Sequence, residues 1–196
     1  MFKDIIKPSI ILFLVCAVMT GALAYVNGVT EPIIDENSRI AEQESLKTVY
    51  NDADNFLDAK TGEELKTEGI DVSDNIEKLY TAQKDGQSIG YVVSVFSSGY
   101  GGKLKILVGI DNDLNIKGIS LVSHNETPGL GANAANPKFT DQFLGKAPQK
   151  EFNVVKRVPN DDSEIQAITA ATVTSKAVTK GVNEAVALVR SMVGGA

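Results

Sequence analysis

The longest apolar run in the chain lies near its beginning. Residues 8–30, PSIILFLVCAVMTGALAYVNGVT, contain no charged side chain. A helix of this length measures about 34 Å, which is enough to cross the hydrocarbon core of a bilayer. Pro8 stands where the first turn of a helix tolerates proline. The pattern therefore predicts a transmembrane helix within residues 1–30, preceded by a short cytoplasmic stub.

The charges around this span predict its orientation. Lys3 and Lys7 precede the span, and Glu31 and Asp35 follow it. The positive-inside rule then places the N-terminus in the cytoplasm and the remainder outside, as a single-pass protein of the cell (inner) membrane. The alternative is a cleaved signal peptide, because residues 22–24, Ala-Leu-Ala, resemble a cleavage site. We prefer the retained anchor because the apolar run is longer than a usual signal core.

Two regions follow the span. Residues 31–50 carry a broken apolar stripe among charged residues, which predicts a helix leaving the membrane. Residues 51–78 are acidic and contain Gly62 and Gly69, which predicts loops with short elements. We treat residues 31–78 as a connecting region and residues 79–196 as the folded domain.

The pattern in the folded domain changes from strands to helices. Residues 79–102 and 103–126 each predict two strands joined by a turn. A short helix is predicted with Pro137 in its first turn and Gly145 just past its end. Residues 174–193 carry apolar side chains at helical spacing, which predicts a long amphipathic helix. Hairpins followed by helices predict an α+β domain, with antiparallel strands and packed helices.

Composition excludes several functional classes. The net charge of −6 argues against a nucleic-acid-binding protein. The chain has one cysteine and one histidine, Cys16 and His124, so we predict neither a disulfide framework nor a zinc site. Residues 111–115 have the alternating acidic spacing of a calcium loop, but Ile116 stands where that loop requires glycine. We predict an ordinary turn there, and no metal.

Two glycine-containing stretches are candidates for a binding site. SSGYGG, residues 97–102, lies at a predicted strand end, where glycines permit a hairpin turn or close approach to a ligand. HNETPGLGA, residues 124–132, contains a Pro-Gly pair that fits a type II turn. This loop is expected to expose backbone N–H groups and the side chains of Glu126 and Thr127. His124 is interpreted as a structural hydrogen-bonding residue rather than a base.

The third candidate is ITAATVTSKAV, residues 168–178, which precedes the last helix. Its hydroxyl-bearing residues are Thr169, Thr172, Thr174 and Ser175. The plain interpretation is helix capping. A helix N-terminus also offers free N–H groups and a partial positive charge, which suit a phosphate. A threonine hydroxyl at that place could bond to a phosphate or be esterified by one, and the residues alone leave both interpretations open.

These motifs, taken in their order, resemble the covalent FMN-binding domain. ETPGLG is followed further along the chain by Thr-Ala-Ala-Thr-Val-Thr-Ser, which is similar to the pattern [Ser/Thr]-Gly-Ala-Thr-x-[Thr/Ser]-Ser. That domain occurs in the G subunit of the Rnf electron-transport complex and in the C subunit of the sodium-pumping NADH:quinone reductase. The resemblance extends over the N-terminal span, GYGG before VGID, and the closing helix. The compact length is more similar to the Rnf protein.

The resemblance implies a covalent cofactor site. In that family a flavin transferase links FMN, through its phosphate, to the threonine that corresponds to Thr172. The flanking positions of the motif are Thr169, Ala170, Ala171, Thr174 and Ser175. The ETPGLG loop is expected to contribute Glu126, Thr127, Leu130 and Gly131. The chain departs from the family pattern at Ala170, where glycine is usual, and at Gln166, where aspartate is usual. The extra methyl of Ala170 is tolerable if its φ is negative.

The implied function is electron transfer. The resemblance indicates a flavoprotein subunit of a membrane-bound, ion-translocating ferredoxin:NAD oxidoreductase, without acid–base catalysis of its own. Its implied partners are the other subunits of the Rnf complex, the flavin transferase during maturation, and the lipid bilayer. Three alternatives remain: a stand-alone membrane-tethered flavoprotein, the C subunit of the quinone reductase, and a non-redox exported binding domain. Gln166 and Ala170 are the residues that favour the last.

Overall fold

The computed structural model describes residues 2–57 and 59–194. It begins with one long helix, α1 (Phe2–Val49), so the predicted span and the predicted exit helix are continuous. Within α1, the segment Ile6–Pro32 is long and apolar enough to cross a membrane. The chain divides into two compact units, Met1–Ala41 and Glu42–Ala196. The second unit contains the sheet and all the candidate motifs.

A mixed set of strands and short helices makes up the second unit, and the predicted α+β class is confirmed. The strands are β1 (Asn55–Phe56), β2 (Lys60–Thr61), β3 (Ile76–Lys84), β4 (Gln87–Ser98), β5 (Lys103–Asp111), β6 (Asn115–Ser123), β7 (Gly145–Lys146), β8 (Asn153–Val155) and β9 (Glu164–Gln166). The helices are α2 (Gly62–Thr67), α3 (Pro137–Thr140) and α4 (Thr172–Val193), with 3₁₀ turns at Gly131–Ala135 and Asp141–Phe143.

Seven of these strands form one antiparallel sheet. Its order is β1-β3-β4-β5-β6-β7, and β2 also pairs with β3. Strands β8 and β9 form a separate parallel pair. The short strands β1 and β2 lie in the region predicted as loops, and β3 begins at Ile76, before the predicted boundary at residue 79. Strands β1 and β2 have two residues each, which is too short for an alternating apolar pattern to be recognised.

Both predicted hairpins are present, and their turns have clear local causes. The β3–β4 turn places Asp85 and Gly86 at φ 51° and 77°, the left-handed geometry that suits a two-residue hairpin. In the β5–β6 turn, the Asp111 carboxylate accepts hydrogen bonds from the backbone N–H groups of Asp113 (3.0 Å) and Asn115 (2.8 Å). The acidic residue at this turn therefore serves the backbone, as predicted.

The two central strands are buried on both faces. Val93 and Val95 of β4 belong to the larger apolar core, under α4, whereas Val92 belongs to a second core. The second core includes Leu46 and Val49 at the end of α1. Because successive side chains of a strand point to opposite faces, burial of both faces explains the nearly continuous apolar runs of β4 and β5.

Two glycines let the end of α1 lie close to the sheet. Gly109 and Gly118 are cross-strand partners on β5 and β6. A Cβ at either position would lie 2.7 Å or 2.6 Å from the carbonyl oxygen of Val49. Any side chain there would therefore push the helix end away from the sheet.

A buried polar network also joins the end of α1 to the sheet. The Glu42 carboxylate accepts hydrogen bonds from the Tyr80 hydroxyl (2.6 Å) and the Lys105 ammonium (2.8 Å). Lys105 also pairs with Glu77 at 2.8 Å, and Lys78 lies 3.8 Å from Glu42. Glu42 is only 7% exposed, so the network replaces the water that its carboxylate loses on burial.

Candidate functional site

The three candidate stretches meet at one end of the second unit. SSGYGG forms the turn between β4 and β5, HNETPGLGA follows β6, and ITAATVTSKAV leads into α4. Glu126 connects them. Its Oε1 accepts hydrogen bonds from the backbone N–H groups of Tyr100 (2.8 Å) and Gly101 (3.1 Å), and its Oε2 accepts one from the Thr174 hydroxyl (2.8 Å). We call this arrangement the Glu126 bridge.

The Glu126 side chain is buried, and the expectation that the loop exposes it was wrong. Its exposed fraction is 6%, whereas Thr127 beside it is exposed as predicted. The Pro-Gly turn itself is confirmed: the Leu130 N–H donates to the Thr127 carbonyl at 3.1 Å, and Gly129 has φ 77°. His124 accepts a long hydrogen bond (3.4 Å) from the Glu126 backbone N–H, a local structural contact.

Glycines surround the Glu126 bridge because it leaves no room for side chains. A Cβ at Gly99 or at Gly131 would overlap the Glu126 carboxylate, and one at Gly101 would overlap the Asn125 carbonyl. Gly99, Gly101 and Gly131 do not have positive φ, so close approach rather than backbone conformation requires them.

A cleft of about 420 Å³ opens beside the bridge. Its size is within the ordinary range for small-molecule sites. Exposed apolar side chains stand around it, with exposed fractions of 77% for Tyr100, 42% for Leu130 and 53% for Val173. The residues lining the cleft are Tyr100, Glu126, Thr127, Leu130, Gly131, Ala170, Ala171, Thr172, Val173 and Thr174.

Of the ten residues predicted for the site, eight line this cleft and two do not. Thr169 and Ser175 are not among the lining residues. Sequence reasoning missed Tyr100 and Val173. An aromatic residue inside a glycine-rich turn was a usable signal for Tyr100. Val173 occupies a position at which the motif accepts any residue, so nothing in the sequence indicated it.

The four hydroxyls before and within the start of α4 differ in their contacts. Thr174 donates to Glu126. The Ser175 hydroxyl donates to the Ala171 carbonyl (2.9 Å) and accepts from the Ile168 N–H (2.9 Å). Thr169 is exposed, and Thr172 is half-buried in the cleft wall. Within the described residues, neither the Thr169 nor the Thr172 hydroxyl has a hydrogen-bond partner.

Helix α4 begins at Thr172, two residues earlier than predicted. Its N-cap is Ala171, and among the described residues no side chain caps it. Of the two interpretations that the residues left open, side-chain capping of this helix is therefore not observed among the described residues. The first N–H groups of a helix have no partner within it, and the helix dipole adds a partial positive charge. An uncapped helix start that faces a cleft is suited to an anion such as a phosphate.

Ala170 adopts a backbone conformation that is unfavourable for alanine. Its φ is +61°, so the condition under which the extra methyl is tolerable, a negative φ, is not met. The left-handed region costs a residue with a Cβ about 1–2 kcal/mol. The glycine of the motif would avoid this cost. The departure from the family pattern at Ala170 therefore places strain directly in the cleft wall.

The second departure, Gln166, lies outside the cleft. It is the last residue of β9, and its side chain is exposed. The Gln142 side chain accepts a hydrogen bond from the Gln166 N–H (2.7 Å) and donates to its carbonyl (3.4 Å). The backbone of Gln166 is thus held in place, whichever side chain it carries.

Known proteins are similar to this chain in both sequence and fold. Family models match residues 99–187 as an FMN-binding domain and residues 1–49 as the RnfG N-terminal region. The chain is 38% identical to the G subunit of the Na(+)-translocating ferredoxin:NAD(+) oxidoreductase complex of Acetobacterium woodii, over 97% of this chain and 94% of that protein. It is 39% identical to the G subunit of the proton-translocating ferredoxin:NAD(+) oxidoreductase complex of Clostridium ljungdahlii, over 94% of this chain and 91% of that protein.

A solved structure shares the fold. The crystal structure of Shewanella oneidensis NqrC matches with a TM-score of 0.50 and 20% identity, covering 61% of each chain. At this level of identity the likeness concerns the fold alone. The match covers more than half of the chain and supports the α+β class derived from the pattern of strands and helices.

Proposed function

Because the chain belongs to the family of G subunits of the ion-translocating ferredoxin:NAD(+) oxidoreductase complexes, we propose that it carries FMN covalently bound to Thr172. The chain is an FMN-binding flavoprotein subunit of such a complex, which is a redox translocase. FMN supplies the redox chemistry, since its ring system accepts and donates one or two electrons. The residues of this chain place and hold it.

One observation supports Thr172 over the neighbouring hydroxyls. Thr174 and Ser175 are buried and already hydrogen-bonded to Glu126 and Ala171. Thr169 is exposed and does not line the cleft. Thr172 alone among these four combines a position in the cleft wall with a hydroxyl that has no partner among the described residues. In forming the phosphoester this oxygen bonds to the flavin phosphorus and gives up its proton, while the P–O bond to the leaving group of the transferase's activated flavin phosphate donor breaks and that group departs.

The cleft contains suitable groups for the rest of FMN. The uncapped N–H groups at the start of α4 would hold the phosphate. Tyr100, Leu130 and Val173 give the cleft an apolar rim suited to a flat aromatic ring, and Thr127 adds a polar side chain. We infer that a dedicated flavin transferase makes the bond during maturation.

The attachment point is tested with four forms of the full chain, expressed with the transferase: wild type, Thr172→Ala, Thr172→Ser and Thr169→Ala. Flavin fluorescence is read after a denaturing gel. We expect no fluorescence from Thr172→Ala, a signal at least in part from Thr172→Ser, and a signal from Thr169→Ala. Fold stability should change by less than about 1 kcal/mol in Thr172→Ala, because the lost hydroxyl makes no internal hydrogen bond.

Two results would contradict this assignment. Fluorescence in Thr172→Ala together with its loss in Thr169→Ala would move the bond to Thr169. A wild-type chain without covalent flavin, matured beside the transferase, would instead favour the non-redox binding domain that Ala170 and Gln166 allow.

We further propose membership of a complete membrane complex rather than a stand-alone flavoprotein or the C subunit of a quinone reductase. The chain spans nearly the whole length of the relatives from ferredoxin:NAD(+) oxidoreductase complexes, whereas its likeness to NqrC is one of fold. Affinity purification from membranes is expected to recover multi-span partner subunits. Recovery of the chain alone under mild detergent would support the stand-alone protein.

The proposed topology is a single anchor with the FMN domain on the extracytoplasmic side. It is supported by the uncharged run of residues 8–30, which lies within the apolar segment Ile6–Pro32, and by Lys3 and Lys7 before that run. Protease added to intact spheroplasts should digest the domain. A mature protein that starts at Tyr25 by mass spectrometry would show a cleaved signal peptide instead.

A further inference from the structure

The proposed attachment chemistry does not use Glu126, although Glu126 is buried in the cleft wall. We propose that Glu126 is a positioning residue: the Glu126 bridge holds the SSGYGG turn against the first turn of α4, and acts on bound FMN through the residues it holds rather than as a ligand. This inference rests on the proposed function, because it takes the cleft to be the FMN site.

The hydrogen bonds of the bridge occupy both oxygens of the carboxylate. Oε1 accepts from Tyr100 and Gly101, and Oε2 accepts from Thr174. These donors are separated from Glu126 by 26, 25 and 48 residues. The Glu126 side chain therefore joins its own loop to the SSGYGG turn and to the start of α4, at the place where the cleft opens.

The donors of the bridge are all neutral, and two of the three are backbone N–H groups. Among the described residues, no lysine, arginine or histidine forms an ion pair with Glu126. Its charge is balanced by two backbone N–H groups and by a hydroxyl on the third residue of α4, near the positive end of the helix dipole. Backbone donors cannot move away to a phosphate, as a flexible lysine could.

The backbones of Gly99 and Gly131 lie directly against the carboxylate. A Cβ on Gly99 or Gly131 would already overlap it, and a Cβ on Gly131 would lie 2.8 Å from the Thr174 hydroxyl. Thr172 and Thr174 belong to the same helical turn. Holding Thr174 therefore fixes the backbone from which the Thr172 hydroxyl enters the cleft.

A matched pair of threonines tests the bridge in the flavin-loaded full chain. Thr174→Val removes the hydroxyl that donates to Glu126. Thr179→Val, further along the same helix, removes a buried hydroxyl that donates to the Ser175 carbonyl at 2.9 Å. Both variants keep Thr172, so both should keep covalent flavin. We expect the visible circular dichroism of the flavin to fall in Thr174→Val toward that of the denatured, still-labelled protein, and to persist in Thr179→Val.

A second measurement needs no flavin. The full chain, expressed without the transferase, is followed by hydrogen–deuterium exchange in the peptide that contains Tyr100 and Gly101. Exchange should be about tenfold faster or more in Glu126→Ala, because two N–H groups lose a charged acceptor. It should stay close to wild type in Glu126→Gln, whose amide oxygen still accepts both N–H groups and whose NH₂ can donate to Thr174.

The outcomes separate this inference from the proposed function. Equal dichroism in the two threonine variants, or exchange as fast in Glu126→Gln as in Glu126→Ala, would overturn it. Loss of covalent flavin from Thr174→Val, with exchange at Tyr100 and Gly101 unchanged in Glu126→Ala, would overturn it as well, because the hydroxyl would then serve attachment rather than the bridge. The proposed function fails separately, through persistent fluorescence in Thr172→Ala, and the exchange measurement is independent of that result.

Discussion

Two buried glutamates of the second unit are satisfied in different ways. Glu42, 7% exposed, is surrounded by the charges of Lys105 and Lys78 and by the Tyr80 hydroxyl. Glu126, 6% exposed, has only neutral donors among the described residues. The chain thus uses opposite charges where a carboxylate joins a helix to the sheet. It uses fixed, neutral donors where a carboxylate borders the cleft.

The electrostatics of Glu42 fit a structural ion pair. Burial raises the pKa of its carboxyl, but hydrogen bonds from Lys105 and Tyr80 and the charges of Lys105 and Lys78 outweigh burial, so the pKa lies below its ordinary value. For Lys105, burial lowers the pKa, and Glu42 and Glu77 raise it more. Both directions mean that the charged forms are favoured together. If such a long, flexible cation stood beside the cleft, the carboxylate and the phosphate would compete for it.

The largest effect is expected from breaking the charged network. Lys105→Met leaves Glu42 and Glu77 without their shared cation and should lower the free energy of unfolding by about 3 kcal/mol. Urea unfolding of the full chain in detergent measures this loss. Covalent flavin per folded molecule should not change, because the network does not include the residues that line the cleft.

The control for Lys105→Met is an exposed ion pair. Lys60 and Glu68 pair at 2.7 Å with about half of each side chain exposed. Lys60→Met should cost less than about 1 kcal/mol. A similar loss of unfolding free energy in both variants would mean that the buried Glu42 network stabilises the fold no more than an exposed ion pair does. A loss of flavin in Lys105→Met would mean that the two glutamate sites are coupled.

A smaller effect is expected from acid. The folded pKa of Glu42 lies below its unfolded value, so its pairing stabilises the fold above the unfolded pKa and is lost as pH falls through the folded pKa. Stability of the wild type should therefore decline as pH falls below about 4.5. The decline should be shallower in Lys105→Met, which has already lost the pair. Urea unfolding between pH 7 and pH 3 compares them, and parallel curves would contradict the prediction.

The smallest effect is expected at the strained corner of the cleft. Ala170→Gly removes the cost of a positive φ, partly offset by the greater freedom of glycine in the unfolded chain, and should stabilise the fold by up to about 1 kcal/mol. We also expect more complete flavin attachment, since the variant restores the motif glycine. Thermal unfolding and in-gel fluorescence measure the two effects.

The matched control is a residue that does not line the cleft. Asp85, at φ 51° in the β3–β4 turn, is an exposed residue of the same left-handed class. Asp85→Gly should leave flavin attachment unchanged. Destabilisation by Ala170→Gly would show that the surrounding loop selects the alanine, and that the strain account is wrong.

Local pattern predicted much of this protein correctly. The apolar run, both central hairpins, the short helix after Pro137 and the amphipathic α4 follow from periodicity and turn chemistry, which depend on neighbouring residues. The order of the glycine and threonine motifs also led to the FMN-binding family, which the comparisons confirm.

Other features depended on contacts that no local pattern contains. Strands β1 and β2 exist because β3 offers them an edge, not because two residues prefer to be extended. The left-handed φ of Ala170 is one example, because alanine alone favours negative φ. Helix α4 begins at Thr172 rather than Thr174, and two of its hydroxyls bond to Glu126 and to the Ala171 carbonyl instead of capping it.

Glu126 shows most clearly where the sequence stops and the tertiary structure decides. The sequence by itself determined that a polar, glycine-containing loop and a hydroxyl-rich helix start exist. Only the tertiary structure decided that Glu126 is buried, because its donors come from residues 100, 101 and 174, and they meet only once β4, β5 and α4 have packed. The same packing leaves Thr172 in the cleft wall with a hydroxyl that has no partner among the described residues. The reason is that the Glu126 carboxylate takes its hydroxyl donor from Thr174 instead.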